Sequence, residues 1–281
     1  MGVEMTQTVR ERVIEAPLNT TTKLGDQVNF YARALAWTPL AITRYRKEIL
    51  RQIAAVSFGT GGLALIGGTA AVVAILTGAM GIEIGLQGHS QLTNVGVEAL
   101  SGFVSAYVNT RNGAPLVAGI ALVATVGAGF TAELGAMRIS EEIDALDVMA
   151  VPSIPYLVTT RIIAGMIAVT PLYAVALIAA YALTRATVIV VFGQSAGTYD
   201  HYFSTFLIPS DILSSYLTVL AMSVVVMCVH CYFGFKAEGG PAGVGLAVGK
   251  AVRTSLIAIM FVALAATITL YGNTDTLHIS R

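Results

Sequence analysis

Charge is what this sequence has least of. Only 11% of its 281 residues are Asp, Glu, Lys or Arg, whereas a water-soluble domain carries about 25%. So few charges cannot cover a surface with water-facing groups, which excludes an ordinary soluble domain. With 56% hydrophobic residues and a mean hydropathy of +0.76, the chain must turn most of its surface to lipid. Its 16 basic and 16 acidic residues balance, so no net field attracts nucleic acid. Cysteine is nearly absent: Cys228 and Cys231 both lie inside an apolar run and do not form the disulfide framework of a secreted protein. A signal peptide is not expected. The first apolar run begins only after Arg51, and about fifty residues is too long for the basic region that opens such a signal.

Catalytic and cofactor motifs are missing as well. A phosphate-binding loop needs G-x-x-x-x-G-K-[S/T]. Gly249 and Lys250 are present, but Val244 stands at the first glycine position and Ala251 replaces the magnesium-binding hydroxyl. Cys228 and Cys231 have C-x-x-C spacing, with His230 between them on another face of a helix. A structural zinc site wants four ligands, and packing cysteines are the expectation. There is no G-x-S-x-G elbow, and His89, His201 and His278 fall in segments read as outer and solvated. No cofactor or metal is expected.

What the chain does have is long uncharged runs. The expected fold is an all-α integral membrane protein with about five spans of some twenty residues or more each. Residues 1–26 read as a polar cytoplasmic segment. Residues 27–51 read as an amphipathic helix lying in the membrane interface, with Phe30, Ala34, Trp37 and Ala41 on one side and Arg44, Lys47 and Arg51 on another. A transmembrane domain covers 52–272. Its first span is expected at 52–82, with Gly59, Gly61, Gly62, Gly67 and Gly68 allowing close helix contact and Gly78, Gly81 and Gly85 ending the helix on the far side. Residues 83–113 read as a partly embedded or external helical segment, with a full extra crossing as the alternative. The second span is expected at 114–135, the third at 162–184 with an extension through Val191, and the fourth at 212–235. An outer polar loop is expected at 193–211. Lys236, Lys250 and Arg253 flank a glycine-rich inner loop before a fifth span at 254–272, and 273–281 form an outer tail. Placing the basic clusters inside puts the N-terminus in the cytoplasm and the C-terminus outside.

Residues 133–152 stand out against this background. Glu141, Glu142, Asp144 and Asp147 fall within seven positions, between two membrane-type runs. Ser140 is the expected N-cap of a short helix at about 139–151, with acids in the first turn where the helix dipole favours them. Ile139, Ile143, Leu146 and Ala150 mark its apolar face, and Pro152 and Pro155 stop it. An acidic helix at the membrane face is a docking surface for a partner in the water. Arg111 and Asn112, beside Gly113 and Pro115 at the edge of an apolar run, allow two readings. Either Arg111 snorkels to the headgroups, or both line a path and meet a lipid headgroup.

The runs RNGAPLVAG (111–119) and VGAGFTAELGAMRISEEIDALDVM (126–149), followed by Pro152, Tyr156 and Arg161, resemble the MlaE/YrbE family of ABC-transporter permeases. The pattern A-E-L-G-x-M followed by E-x-I-D-A-L is specific to it, and residues 240–249 with Ser255 resemble its second glycine-rich signature more loosely. The glycine-rich style is similar to YrbE members, with a B-type subunit as one candidate, of actinobacterial Mce systems. The resemblance implies a dimeric permease core, here a heterodimer with a second YrbE-type permease, resting on a cytoplasmic ABC ATPase dimer. It implies a coupling helix carrying Glu141, Glu142, Asp144, Ala145, Leu146 and Asp147. It further implies MCE-domain partner proteins, location in the inner (plasma) membrane, and movement of membrane lipids. Fatty or mycolic acids are the leading substrate class, sterols the second, and import the expected direction. The chain departs from the family at Asn112, where an acid is common, and at Thr125, where a basic residue is common. If Arg111, Asn112 and Thr125 line the lipid path, this subunit has lost part of its charge. The rival readings are an intramembrane lipid-modifying enzyme and a structural anchor for envelope proteins.

Overall fold

The computed structural model describes residues 16–58 and 68–272. Expectations for residues 1–15 and 273–281, and for Gly59, Gly61, Gly62, Gly67 and His278, lie outside the described residues. Among the described residues three helices come first: α1 (Ala16–Ala36), α2 (Thr38–Arg44) and α3 (Arg46–Phe58). Five long ones follow with two short ones among them: α4 (Gly68–Asn94), α5 (Glu98–Ile139), α6 (Glu142–Val148), α7 (Ile154–Val191), α8 (Ala196–Phe206), α9 (Pro209–Phe235) and α10 (Gly240–Tyr271). The five long helices α4, α5, α7, α9 and α10 are long and apolar enough to cross a membrane.

Side-chain contacts give the helix directions. Gly88 of α4 faces Val104 and Gly113 of α5 faces Met80, so α4 and α5 are antiparallel. Gly81 meets Ala180 and Gly85 meets Thr187, so α4 and α7 are parallel. Tyr173 and Ser215 bond at one level while Gly165 and Met227 touch at another, so α7 and α9 are antiparallel. Gly119 of α5 faces Ile259 of α10 and Gly135 faces Val244, so α5 and α10 are antiparallel too, and each long helix reverses the direction of the one before.

Several expectations need correction. Among the described residues the first helix long enough to span is Gly68–Asn94, which runs twelve residues past the expected end at 82, while residues 59–67 of the expected 52–82 span lie outside the described residues. Gly78, Gly81 and Gly85 lie inside α4 and do not end it. They let α4 approach α7 so closely that a Cβ on Gly81 would collide with the Ala180 carbonyl. Residues 83–113 form neither an external segment nor an extra crossing. The first part completes α4, Gly96 makes the turn with φ of +73°, and the rest opens the 42-residue α5. The outer polar segment contains a helix, α8. The glycine-rich stretch after Lys236 is not a loop: Gly239 (φ +87°) and Gly240 (φ +69°) turn the chain, Pro241 sits in the first turn, and the other glycines are helical. Proline suits that first turn, and glycine is common inside membrane helices. The single interfacial helix at 27–51 is three segments broken at Trp37 and Tyr45, with Pro39 in the first turn of α2. Its apolar side is still Phe30, Ala34 and Ala41, all buried, while Trp37 stays half exposed.

Polar side chains bind the spans together where no water competes. Asn109 Nδ2 of α5 donates to Thr184 Oγ1 of α7 at 3.0 Å, and that hydroxyl donates to the Gly81 carbonyl of α4 at 2.8 Å. Thr131 Oγ1 of α5 lies 2.7 Å from Nδ1 of the buried His230 of α9, whose ring fills the space a Cβ on Gly127 would need. Two layers of charge mark the bundle's ends. Arg111 to Glu133 on α5 and Arg161 to Arg185 on α7 are 22 and 24 residues apart, or about 33–36 Å at ~1.5 Å per residue. That separation brackets a hydrocarbon core about 30 Å thick.

The close α4–α7 contact yields a direct test. Gly81→Ala should lower stability by about 1–3 kcal/mol through overpacking. Gly129→Ala, whose new methyl meets nothing within 4 Å, should leave the thermal unfolding midpoint in detergent unchanged or slightly raised.

Candidate functional site

The end of α5, the short α6 and the start of α7 form one corner of the bundle. Ser140 does not N-cap α6. Its Oγ donates back to the Ala136 carbonyl at 3.0 Å and so finishes α5. Its backbone is also followed by a reversal: Glu141 adopts the left-handed conformation with φ of +61°. α6 spans seven residues, about two turns, and carries Glu142 and Asp144 in its first turn, where the dipole stabilises them. It ends on a second left-handed residue, Ala150, with φ of +57°. There Ala150 N–H donates to the Asp147 carbonyl and Val151 N–H to the Leu146 carbonyl at 3.1 and 3.0 Å. This is the double hydrogen-bond closure at a helix C-terminus that glycine usually makes.

Among the described residues, Glu141 and Ala150 are the two non-glycine residues at positive φ. An L-residue there costs about 1–2 kcal/mol. Both flank α6, so the local backbone is strained at a surface turn, and such strain clusters where a protein functions.

One side of α6 is anchored and the other is bare. Ile143 is fully buried in the core, and Leu146 packs against it in part. The expected partners Ile139 and Ala150 are exposed instead, because α6 is shorter than 139–151 and its ends turn away. Arg138 Nη1 donates to Asp144 Oδ1 at 2.7 Å, fixing α6 to the end of α5. Asp147 Oδ1 accepts from the Ser153 backbone N–H at 3.3 Å, fixing it to the start of α7. Glu141, Glu142, Ala145 and Asp147 stay exposed. So do Val148 and Met149, at 88% and 65%. Sequence reasoning missed these last two. The signal was present, since two adjacent apolar residues stand out of phase with Ile143 and Leu146.

Behind α6, Arg161 of α7 is buried and reaches Glu133 of α5 at 3.2 Å. Its other nitrogen donates to the Leu157 carbonyl at 3.0 Å, and its guanidinium lies 5.7 Å from the Phe130 ring. α5 and α7 are thus joined at the level where α6 connects them. Next to this joint, a cavity of about 380 Å³ opens between α3, α4 and α5, with Thr125, Phe130 and Glu133 on its α5 wall.

The three residues assigned to a lipid path do not come together. Arg111 is buried and neither snorkels nor faces an open path. Its Nε donates to Asp211 Oδ2 of α9 at 2.8 Å, and its guanidinium lies between the Tyr107 and Tyr271 rings at 4.4 and 4.8 Å. Asn112 is exposed. Thr125 is half-buried, its hydroxyl bonded to the Ala121 carbonyl at 2.6 Å, and it lies about 21 Å along α5 from Arg111. They do share one feature. Arg111 and Asn112 fall in the wide π-helical turns of Ser105–Gly113, and Thr125 in those of Val123–Gly127. Such turns are rare and gather at functional sites.

At the same end as Arg111, the short α8 packs on the bundle. Arg185 forms two 2.8 Å bonds to Asp200, which hold the Asp200 carboxyl below the usual carboxylate range. Its stabilising contribution is present above the ordinary carboxylate pKa and fades as pH falls through the lowered value. Burial pushes the neighbouring Tyr199 hydroxyl up to about 12. His89, expected to be solvated, is buried, with Nδ1 2.8 Å from Ser101 Oγ and its ring stacked on Phe192.

Comparison with known proteins adds to this geometry. The sequence profile of the family described as Permease MlaE matches residues 61–269. A protein of Rickettsia bellii named "Probable ABC transporter permease protein" is 30% identical over 198 residues, covering 67% of this chain and 73% of its own length. A similarly named protein of Synechocystis is 27% identical over 196 residues, covering 69% and 74%. The Arabidopsis chloroplast protein trigalactosyldiacylglycerol 1 is 30% identical over 180 residues, 64% of this chain and 51% of that protein.

Two outcomes test the geometry of the two ends. Asp211→Leu should cost about 3–5 kcal/mol by stranding the Arg111 charge, and the double variant Arg111→Leu with Asp211→Leu should recover part of that loss. Ala150→Gly should raise stability by up to about 1 kcal/mol by relieving the left-handed turn. Both are read from detergent-solubilised thermal unfolding.

Proposed function

The chain belongs to the MlaE permease family, and from that premise we propose that it is the membrane subunit of an ATP-driven lipid transporter, with α6 as the helix on which its ATPase docks. The observation that carries this reading is α6 itself. It presents Glu141, Glu142, Val148 and Met149 to water while Ile143 pins it to the core. A surface that is both acidic and apolar, on a strained and rigidly held turn, suits a permanent protein partner.

The proposed sidedness draws on the distribution of cations. α1 packs against the α6 end, with Phe30 on Tyr232 and Phe235 and Thr159 bonded to the Ala34 carbonyl. Arg44, Lys47, Arg51, Arg138, Lys236 and Lys250 belong to this end. At the other end, Arg111 and Arg185 are each held by an aspartate. By the positive-inside rule this distribution supports the proposal of a cytoplasmic α6 and an outer C-terminus.

ATP hydrolysis takes place in the partner. Closure of two ATPases pushes α6, which is tied to α5 through Arg138–Asp144 and to α7 through Asp147 and Ser153. The Arg161–Glu133 pair makes α5 and α7 move together at that level. Tilting these two long helices changes the width of an apolar space between this permease and a second one, which takes up and releases lipid. Asn112, Thr125 and the cavity above Glu133 lie along α5 and form the polar points of the path. The name of the Arabidopsis relative contains a galactolipid, which supports lipid as the cargo class. Fatty or mycolic acids, or sterols, imported with MCE-domain proteins and a second YrbE-type permease, complete the proposal.

Glu142→Lys, alone and with Glu141→Lys, should lower ATPase copurification and lipid uptake by about tenfold or more, with the amount and melting temperature of the membrane protein unchanged. Normal copurification together with normal uptake in the charge-reversed protein removes α6 as the docking site.

A further inference from the structure

A second cavity, of about 390 Å³, opens at the α6 end of the bundle between α1, the end of α9 and the start of α10. It shares no wall residue with the cavity that contains Thr125 and Glu133. Tyr232 and Phe233 of α9 and Leu246 and Ala247 of α10 form its apolar walls, and Lys236 and Lys250 line it as well.

The two lysines come from different helices and converge on one space. Neither makes an ion pair among the described residues. Glu238 also lines the cavity, so the site carries two cations against one anion. Depth is the second observation. Lys250 precedes Tyr271 by 21 residues and Lys236 follows Asp211 by 25, which sets them about 32 and 37 Å from the outer charged layer. That is the headgroup level of a leaflet whose hydrocarbon ends about 30 Å from the opposite face. The third is the wall beside them. Leu246 is 66% exposed, and the face of α10 above it continues through Ile257, Met260, Phe261 and Leu264, all exposed.

We propose that this cavity binds the anionic headgroup of a lipid from the leaflet on the α6 side. Lys236 and Lys250 hold its phosphate or carboxylate, and Phe233 and Leu246 cover the first carbons of its chains. A free inorganic phosphate meets the same two cations but leaves the apolar walls wet, so the lipid is the better fit. Basic pockets between membrane helices recognise anionic headgroups in this way, with each cation near the surface strengthening binding severalfold. The site stands apart from the transport reading: loss of lipid here leaves α6 and its docking partner untouched.

The test uses the full-length chain in nanodiscs of phosphatidylcholine with one-fifth phosphatidylglycerol, and retained lipid is counted by native mass spectrometry. Wild-type protein should retain phosphatidylglycerol over phosphatidylcholine. Lys236→Gln and Lys250→Gln should each lower that retention by about fivefold, with phosphatidylcholine unchanged. Glu238→Gln should raise it, and this arm stands if either lysine variant fails to fold. Equal retention of the two lipids by wild type overturns the proposal, as does unchanged retention in the Glu238 and lysine variants. Complete displacement by 20 mM inorganic phosphate (about the scale of free cellular phosphate) reassigns the site to a soluble anion and also overturns it.

Discussion

Within hydrocarbon, nothing pushes one apolar helix against another, because lipid tails are as apolar as leucine. Association then depends on how closely two backbones can approach and on the polar bonds made once they do. This chain meets that constraint with glycine at the crossings. Gly81 of α4 lies against Ala180, Gly234 of α9 against Thr131, and Gly165 of α7 against Met227. At the same crossings, Asn109, Thr184, Thr131 and His230 find partners on other helices. The result is a frame in which α4, α5, α7 and α9 share buried faces while α10 stays mostly exposed.

The rigidity of that frame gives α6 its meaning. A short helix on a soft support absorbs a push, whereas one tied at both ends passes it on. α6 is tied by a buried isoleucine, an arginine–aspartate pair and a carboxylate-to-backbone bond, and it connects two of the longest helices. Arg161 and Glu133 join those helices just behind it. In the proposed transport cycle, force applied at the surface of α6 reaches the membrane interior as a movement of α5 and α7 together. At the far end Arg111 and Asp211, clasped between two tyrosine rings, tie α5 to α9 and α10.

Much of this was legible in the sequence. Five apolar helices, an acidic helix before Pro152 and its exposed acids follow from charge and hydropathy along the chain. The end expected at 82 falls short of Asn94 because Glu83 is the first charge after a long uncharged run, and a single charge does not show where a helix ends. The glycines of α4 and of the start of α10 read as helix ends and loop because single-chain propensity penalises them, while packing in lipid rewards them. Arg111 read as a free charge because its partner lies 100 positions away, as Glu133 lies 28 from Arg161. Pairings across helices are set by packing and leave no local pattern. Val148 and Met149 stand out of phase with Ile143 and Leu146 and so were legible as exposed, but the left-handed turn at Ala150 that follows them was not, since alanine gives no reason to expect it.

The most direct measurement is site-specific crosslinking at α6 in native membranes. A photoreactive group on Val148→Cys should label a cytoplasmic ABC ATPase. The same group on Leu217→Cys, on the exposed side of α9, should label lipid and no ATPase. Labelling of the ATPase at both positions or at neither, with the protein folded and present in normal amount, contradicts docking on α6.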